Sequence, residues 1–152
     1  MLRSAWAPGP STGSDGPMLV SVTDFQADRL RDLPGIFRAG LRLRRAWPQL
    51  AGAVGMWLWA EPLERRCGSV SIWQDEEALR GFVAWPEHVR IMRRYRSRGQ
   101  IRATSWLAAR SDPAAIWAQA RPYLSGKELW RTAQVGEACR PPDGHHGTSL
   151  RE

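Results

Sequence analysis

Four short runs of β-branched and aromatic residues alternate with two helix-forming stretches in the order β-α-β-β-α-β. That order constrains the fold more than any other property of the chain. Met18-Leu-Val-Ser-Val-Thr-Asp-Phe25 reads as the first strand. Asp32-Leu-Pro34 supplies an N-cap aspartate and a first-turn proline. Leu33, Ile36, Phe37, Leu41 and Trp47 then recur at helical spacing until Pro48 stops the helix. Gly52–Ala60 is the second strand, Pro62–Arg66 a hairpin connection and Cys67–Gln74 the third strand. In that third strand Val70 and Ile72 fall on one face and Ser69, Ser71 and Trp73 on the other. Asp75-Glu-Glu opens a second helix whose apolar residues are Ala78, Leu79, Phe82 and Val83. Pro86 interrupts it, which predicts a kink or two short helices. The segment Pro86–Arg96 carries His88, Met92 and Tyr95 at i, i+4 and i+7. Ile101–Ala109 is the fourth strand, and Asp112-Pro113 caps a final helix through Gln119.

This is the α+β, ferredoxin-like split βαβ arrangement with a C-terminal helix. Its antiparallel sheet carries helices on one face, so the other face must find cover. The chain has nine tryptophans against three phenylalanines and two tyrosines. Trp57 and Trp59, two apart, share a face of the second strand. Trp73 and Trp106 belong to the third and fourth. Large aromatics on a sheet with a bare face predict a second sheet packing there from another copy, hence a homodimer. The domain is expected over residues 18–124. Residues 1–17, rich in Gly, Pro and Ser, are expected to be a disordered extension. Residues 125–152 are expected to be a mostly disordered tail with a short helix near Glu128–Val135.

The formal net charge is +7 and every basic residue but Lys127 is arginine. Such a charge first suggests nucleic acid. The whole excess, however, lies between Met18 and Leu124, in clusters that fit the solvent faces of two helices. Nucleic acid is therefore not expected as a partner. Cys67 and Cys139 have no CxxC spacing, which fits a reduced, cytoplasmic setting. No apolar run approaches the length of a membrane span. His88 is the one core histidine, and without further ligands it predicts no metal site. No phosphate loop, nucleophile elbow, HExxH or dinucleotide fingerprint is present.

The stretch Ser71-Ile-Trp73-Gln-Asp75-Glu-Glu-Ala-Leu79-Arg-Gly-Phe82-Val-Ala-Trp-Pro-Glu-His88, running on to Met92-Arg93-Arg94-Tyr95, resembles the dimeric α/β-barrel superfamily. That superfamily includes the antibiotic-biosynthesis monooxygenases. Shared features are a third strand ending in tryptophan, a polar helix start, Leu-x-x-Phe, and a histidine followed by basic residues. The nearest likeness is to the branch of spheroidene-monooxygenase-like and uncharacterised small proteins. It covers residues 18–110. The resemblance implies a homodimeric α/β barrel. It also implies a monooxygenase-like enzyme of secondary metabolism, working without a cofactor on an aromatic or polyketide-like apolar substrate. Other members of the superfamily suggest alternatives: a haem-binding oxygenase-like protein with His88 as ligand, a polyketide cyclase or isomerase, or a non-catalytic dimeric binding protein.

Candidate site residues follow from chemistry. His88 offers a near-neutral pKa and ring nitrogens for acid/base work or haem ligation. Trp57, Trp59, Trp73 and Trp106 could line a pocket for a flat ligand, with an indole N–H orienting a carbonyl. Met92 would add apolar wall. Arg102 could balance a substrate anion, and Tyr95 or Ser71 could donate a hydrogen bond to it. Asp24 is a weaker candidate for taking the substrate proton.

Overall fold

The computed structural model describes residues 1–110 and 112–126. Most of the expected tail, with its Glu128–Val135 helix, lies outside them. Six strands form one antiparallel sheet: β1 (Leu2–Arg3), β2 (Ala7–Pro8), β3 (Met18–Ala27), β4 (Ala53–Glu61), β5 (Arg66–Trp73) and β6 (Gly99–Ala108). The four long strands stand in the order β4-β5-β3-β6, the ferredoxin-like order, and β1 and β2 both pair with the outer edge of β4. Val20 on β3 faces Ile72 on β5 and Trp106 on β6, which fixes the register across the centre. The sheet of one chain is open; only a second sheet could close a barrel.

Helix α1 (Leu33–Ala46) connects β3 to β4, and the pair α2 (Glu76–Ala84) and α3 (Pro86–Tyr95) connects β5 to β6. Local signals set their ends. The Asp75 side chain accepts a hydrogen bond from the Ala78 amide at 2.8 Å, closing the start of α2. Trp85 leaves the helical conformation immediately before Pro86, so the chain makes two short helices there. The Asp112 side chain accepts from the amides of Ala114 and Ala115, and α4 (Pro113–Leu124) runs beyond the expected Gln119. Among the described residues no helix is long and apolar enough to cross a membrane.

Alternation along the strands sorts the interior into two sides. Phe25, Ala60, Cys67, Met56, Leu58 and Trp73 pack under α1, α2 and α3. Val20, Val22, Val70, Ile72, Trp57 and Trp59 point the other way. Ile116, Ala120 and Leu124 of α4 cover them, with Trp6 and Trp117 alongside. The face expected to be bare is thus covered in good part by the chain's own α4 and first residues.

Those first residues differ most from expectation. Composition reads residues 1–17 as disordered, yet here they follow the edge of β4. Leu2 and Arg3 pair with Ala60 and Trp59, and Ala7 and Pro8 with Met56 and Gly55. Trp6 packs on Trp57 with ring centroids 4.4 Å apart. Arg3 sits over Trp117, 4.6 Å from its centroid. Burial of an aromatic ring and a ladder of backbone bonds offset the ordering entropy of a Gly- and Pro-rich segment.

Candidate functional site

An apolar cavity of about 140 Å³ lies between the sheet and the helices. Helix α1 supplies Ile36, Phe37, Gly40, Leu43 and Trp47 to it. Positions 36, 40, 43 and 47 recur at helical spacing, so they form one stripe along α1 and into the turn that follows it. Helix α3 supplies His88, Ile91, Met92 and Tyr95, again at i, i+3, i+4 and i+7. The floor is Thr23 and Phe25 of β3, Met56 and Leu58 of β4, and Cys67, Ser69 and Ser71 of β5. Phe82, Arg96 and Ile101 complete the wall.

The wall's hydroxyls are bonded to their neighbours. Thr23 Oγ1 and Ser69 Oγ lie 3.0 Å apart. Ser71 Oγ donates to the Ser21 carbonyl and accepts from Trp73 Nε1 at 3.0 Å. Tyr95 reaches α1 because residue 35 is glycine: a Cβ there would come within 2.9 Å of Tyr95 Oη.

His88 lies in the first turns of α3, its ring 4.6 Å from that of Phe82. Nδ1 is 3.1 Å from the Val83 carbonyl. That carbonyl belongs to the last turn of α2, where helical donors run out, so the Pro86 break creates the acceptor. A carbonyl only accepts, so Nδ1 carries the proton and Nε2 keeps the lone pair. Burial pushes the His88 pKa below its ordinary value, and the bond to Val83 opposes this only in part. Burial therefore favours the neutral imidazole over the imidazolium. Cys67 is buried beside Asp24; burial first, and the aspartate's charge second, push its thiol up to about 12, so it is no thiolate.

Of the residues singled out from the sequence, His88, Tyr95, Ser71 and Met92 meet in this cavity. The others do not. Trp57 and Trp59 face α4: Trp57 packs between Trp6 and Trp117, and Trp59 donates to the Thr23 carbonyl. Trp106 stacks on Tyr123 and donates to Gln119 Oε1 at 2.9 Å. Trp73 is on the helix side but is fully buried behind the wall, against Trp47 and Phe82. Arg102 and Asp24 lie on the α4 side of the sheet. There the fully buried Asp24 carboxylate binds Arg102 and is held by Arg66 at 2.8 Å. The cause is period two: one face of each strand meets α4 and the other the cavity, and these residues occupy the α4 face.

Two lining residues were passed over in the sequence. Trp47 was legible only as the last apolar position of α1. Arg96, exposed and at the cavity's rim, looked like one of many helix-surface arginines. Among the described residues, no group of three or more His, Cys, Asp or Glu side chains could hold a metal ion. Haem is a poor match: His88 Nε2 suits an axial ligand, but a cavity of about 140 Å³ is well below the roughly 300–1,000 Å³ typical of drug-sized ligands, and a porphyrin is larger still.

No protein-family model matches the chain, and no curated protein does. Solved structures do match in fold. A candidate antibiotic biosynthesis monooxygenase from Nitrosomonas europaea superposes with a TM-score of 0.54 at 7% identity, covering 66% of this chain and 96% of that one. A dimeric ferredoxin-like protein of unknown function from a Jannaschia species gives 0.50 at 17%, covering 59% and 97%. SnoaB, a cofactor-independent oxygenase from Streptomyces nogalater, gives 0.49 at 18%, covering 63% and 97%. The chain thus has an α+β ferredoxin-like fold, shared with the structures that superpose at a TM-score of 0.50 or more.

Proposed function

We propose that the cavity between the sheet and the helices binds a small aromatic substrate and that the protein is a monooxygenase-like enzyme. The observation that carries this reading is His88 in the wall of an apolar cavity, its Nδ1 bonded to the Val83 carbonyl so that Nε2 is the basic nitrogen. An apolar cavity of about 150 Å³ takes a single aromatic ring, so one enclosed ring is the expected size, with any second ring extending toward the rim at Arg96. The reaction needs a substrate whose activated C–H bond is acidic, such as a phenol in its keto form. His88 Nε2 takes the proton, and the carbanion gives electrons to molecular oxygen. A hydroperoxide forms and loses water: CH₂ and O₂ become C=O and H₂O. The dry wall favours this by keeping water from the anion. Arg96 at the rim takes the anion-balancing role first assigned to Arg102, and Tyr95 that of a hydrogen-bond donor. No cofactor is part of this scheme. A role in secondary metabolism is the physiological setting proposed.

1-Naphthol is a suitable probe, since oxidation at C4 gives 1,4-naphthoquinone and water. Oxygen uptake with stoichiometric quinone is the expected result. The variant His88→Gln should be slower by about 10²–10⁴-fold, the usual worth of a general base. No oxygen uptake with naphthols or hydroquinones, and no binding of them, would overturn the reading. A cyclase or isomerase would bind but consume no oxygen; a binding protein would do neither reaction. We also propose the homodimer as the working assembly, with Leu107 on the edge strand β6, 73% exposed, as an apolar side chain that a partner would cover. A sedimentation mass of one chain, 17.1 kDa, would count against it.

A further inference from the structure

We infer that Trp47 decides what the cavity accepts: its indole N–H donates to a hydrogen-bond acceptor on the ligand. The preferred occupant is then an aromatic ring bearing a carbonyl-type oxygen, not a plain hydrocarbon. This rests on the reading of the cavity as a ligand site and adds to it the identity of the recognised group.

Trp47 borders the cavity and is 1% exposed. Its Nε1 is buried with no hydrogen-bond partner among the described residues. Three other tryptophans in the sheet are satisfied: Trp59 by the Thr23 carbonyl, Trp73 by Ser71 Oγ and Trp106 by Gln119 Oε1. The cavity's hydroxyls are engaged elsewhere, Thr23 with Ser69 and Ser71 with Trp73 and the Ser21 carbonyl, and none of them is bonded to Trp47. A buried donor left unmade costs free energy in the empty protein. A ligand acceptor that reaches it recovers that cost, and an analogue lacking the acceptor does not.

The ring is also held in place. Pro48 follows it in a tight 3₁₀ turn over Trp47–Gln49. The Trp73 ring meets it edge-on at 4.7 Å, and Phe82 at 5.9 Å. A donor fixed by packing loses little entropy on binding and imposes a direction on its acceptor.

The test uses the full chain labelled with ¹⁵N at the tryptophan indoles, and two isosteric probes. Acetophenone carries the acceptor; α-methylstyrene replaces its C=O with C=CH₂. The Trp47→Phe variant assigns the Trp47 signal and removes the donor while keeping a ring. The expected result is that acetophenone binds about tenfold more tightly than α-methylstyrene and alone moves the Trp47 N–H signal downfield. In Trp47→Phe the two probes should bind within about twofold of each other. Equal affinities in the native protein, or an unmoved N–H signal with acetophenone bound, would overturn the role of Trp47 while leaving the cavity a ligand site. Binding of neither probe would overturn both. The affinity ratio of the two probes in the native protein decides the matter even if Trp47→Phe folds poorly.

Discussion

The ring of Trp6 lies where a side chain on residue 55 would begin: a Cβ on Gly55 would come within 1.8 Å of Trp6 Cζ2. Residue 55 is on β4, and Trp6 links the two short strands laid along that edge. The glycine therefore belongs to the docking of the first residues, not to a turn.

Gly55→Ala should expel the Trp6 ring and destabilise the fold by about 1–3 kcal/mol, the usual cost of overpacking. In a Trp6→Ala background the same substitution should cost little, because the clash is gone. Urea denaturation of the two single variants and the double variant checks this. Additive effects would show that Trp6 and Gly55 are independent.

Asp24→Asn should be among the most damaging single changes. It would leave Arg66, buried with Trp59 beneath its guanidinium, without its principal counter-charge. Removing one member of a buried ion pair costs about 3–5 kcal/mol. Arg102→Met should cost less, because the Arg102 side chain is 41% exposed. Thermal or urea unfolding ranks the two, and the reverse order would contradict the assignment of Asp24 to a closed charge cluster.

His88 gives the stability a pH dependence with a definite sign. Its folded pKa is lowered by burial, so between that value and the ordinary value near 6.5 the unfolded chain binds more protons than the folded one. Its contribution is complete above about pH 6.5 and is lost as the pH falls toward the folded pKa. His88→Gln should flatten that part of the profile. Turnover of 1-naphthol should fall in the same acid range, since protonated His88 is no base.

Cys67 should be inert in the native protein. A thiol pushed up to about 12 holds almost no thiolate at pH 8. Alkylation followed by peptide mass mapping, which separates Cys67 from Cys139, should show Cys67 reacting only as fast as the protein unfolds. Asp24→Asn removes a neighbouring negative charge and should lower the Cys67 pKa, though burial keeps it above the ordinary range.

Local chemistry made much of the fold legible. Asp75, Pro86 and Asp112 announce helix ends through interactions within a few residues, and β-branched runs mark β3 and β5. The stripe His88, Met92, Tyr95 was legible for the same reason. What a strand cannot reveal is which of its faces meets which layer. Trp57 and Trp59 were rightly placed together, yet on the face that α4 covers, because alternation gives two equivalent sides. The segment 1–17 was opaque because its order depends on β4, some fifty residues away, and on a glycine that accommodates Trp6. The open donor of Trp47 depends on which acceptors the fold brings near, and no spacing encodes that.

The strap along β4 also decides how one sheet can join another. Ser4, Gly9 and Ser11 donate their amides to the carbonyls of Leu58, Val54 and Ala53 and so seal that edge. Their neighbours Pro8 and Pro10 have no N–H to offer outward. Among the described residues β6 is the sheet's other edge. A ribbon of molecules would need two receptive edges on each member. With one of them sealed, edge-to-edge pairing through β6 stops at two copies, and the fold carries its own chain terminator against fibrillar growth.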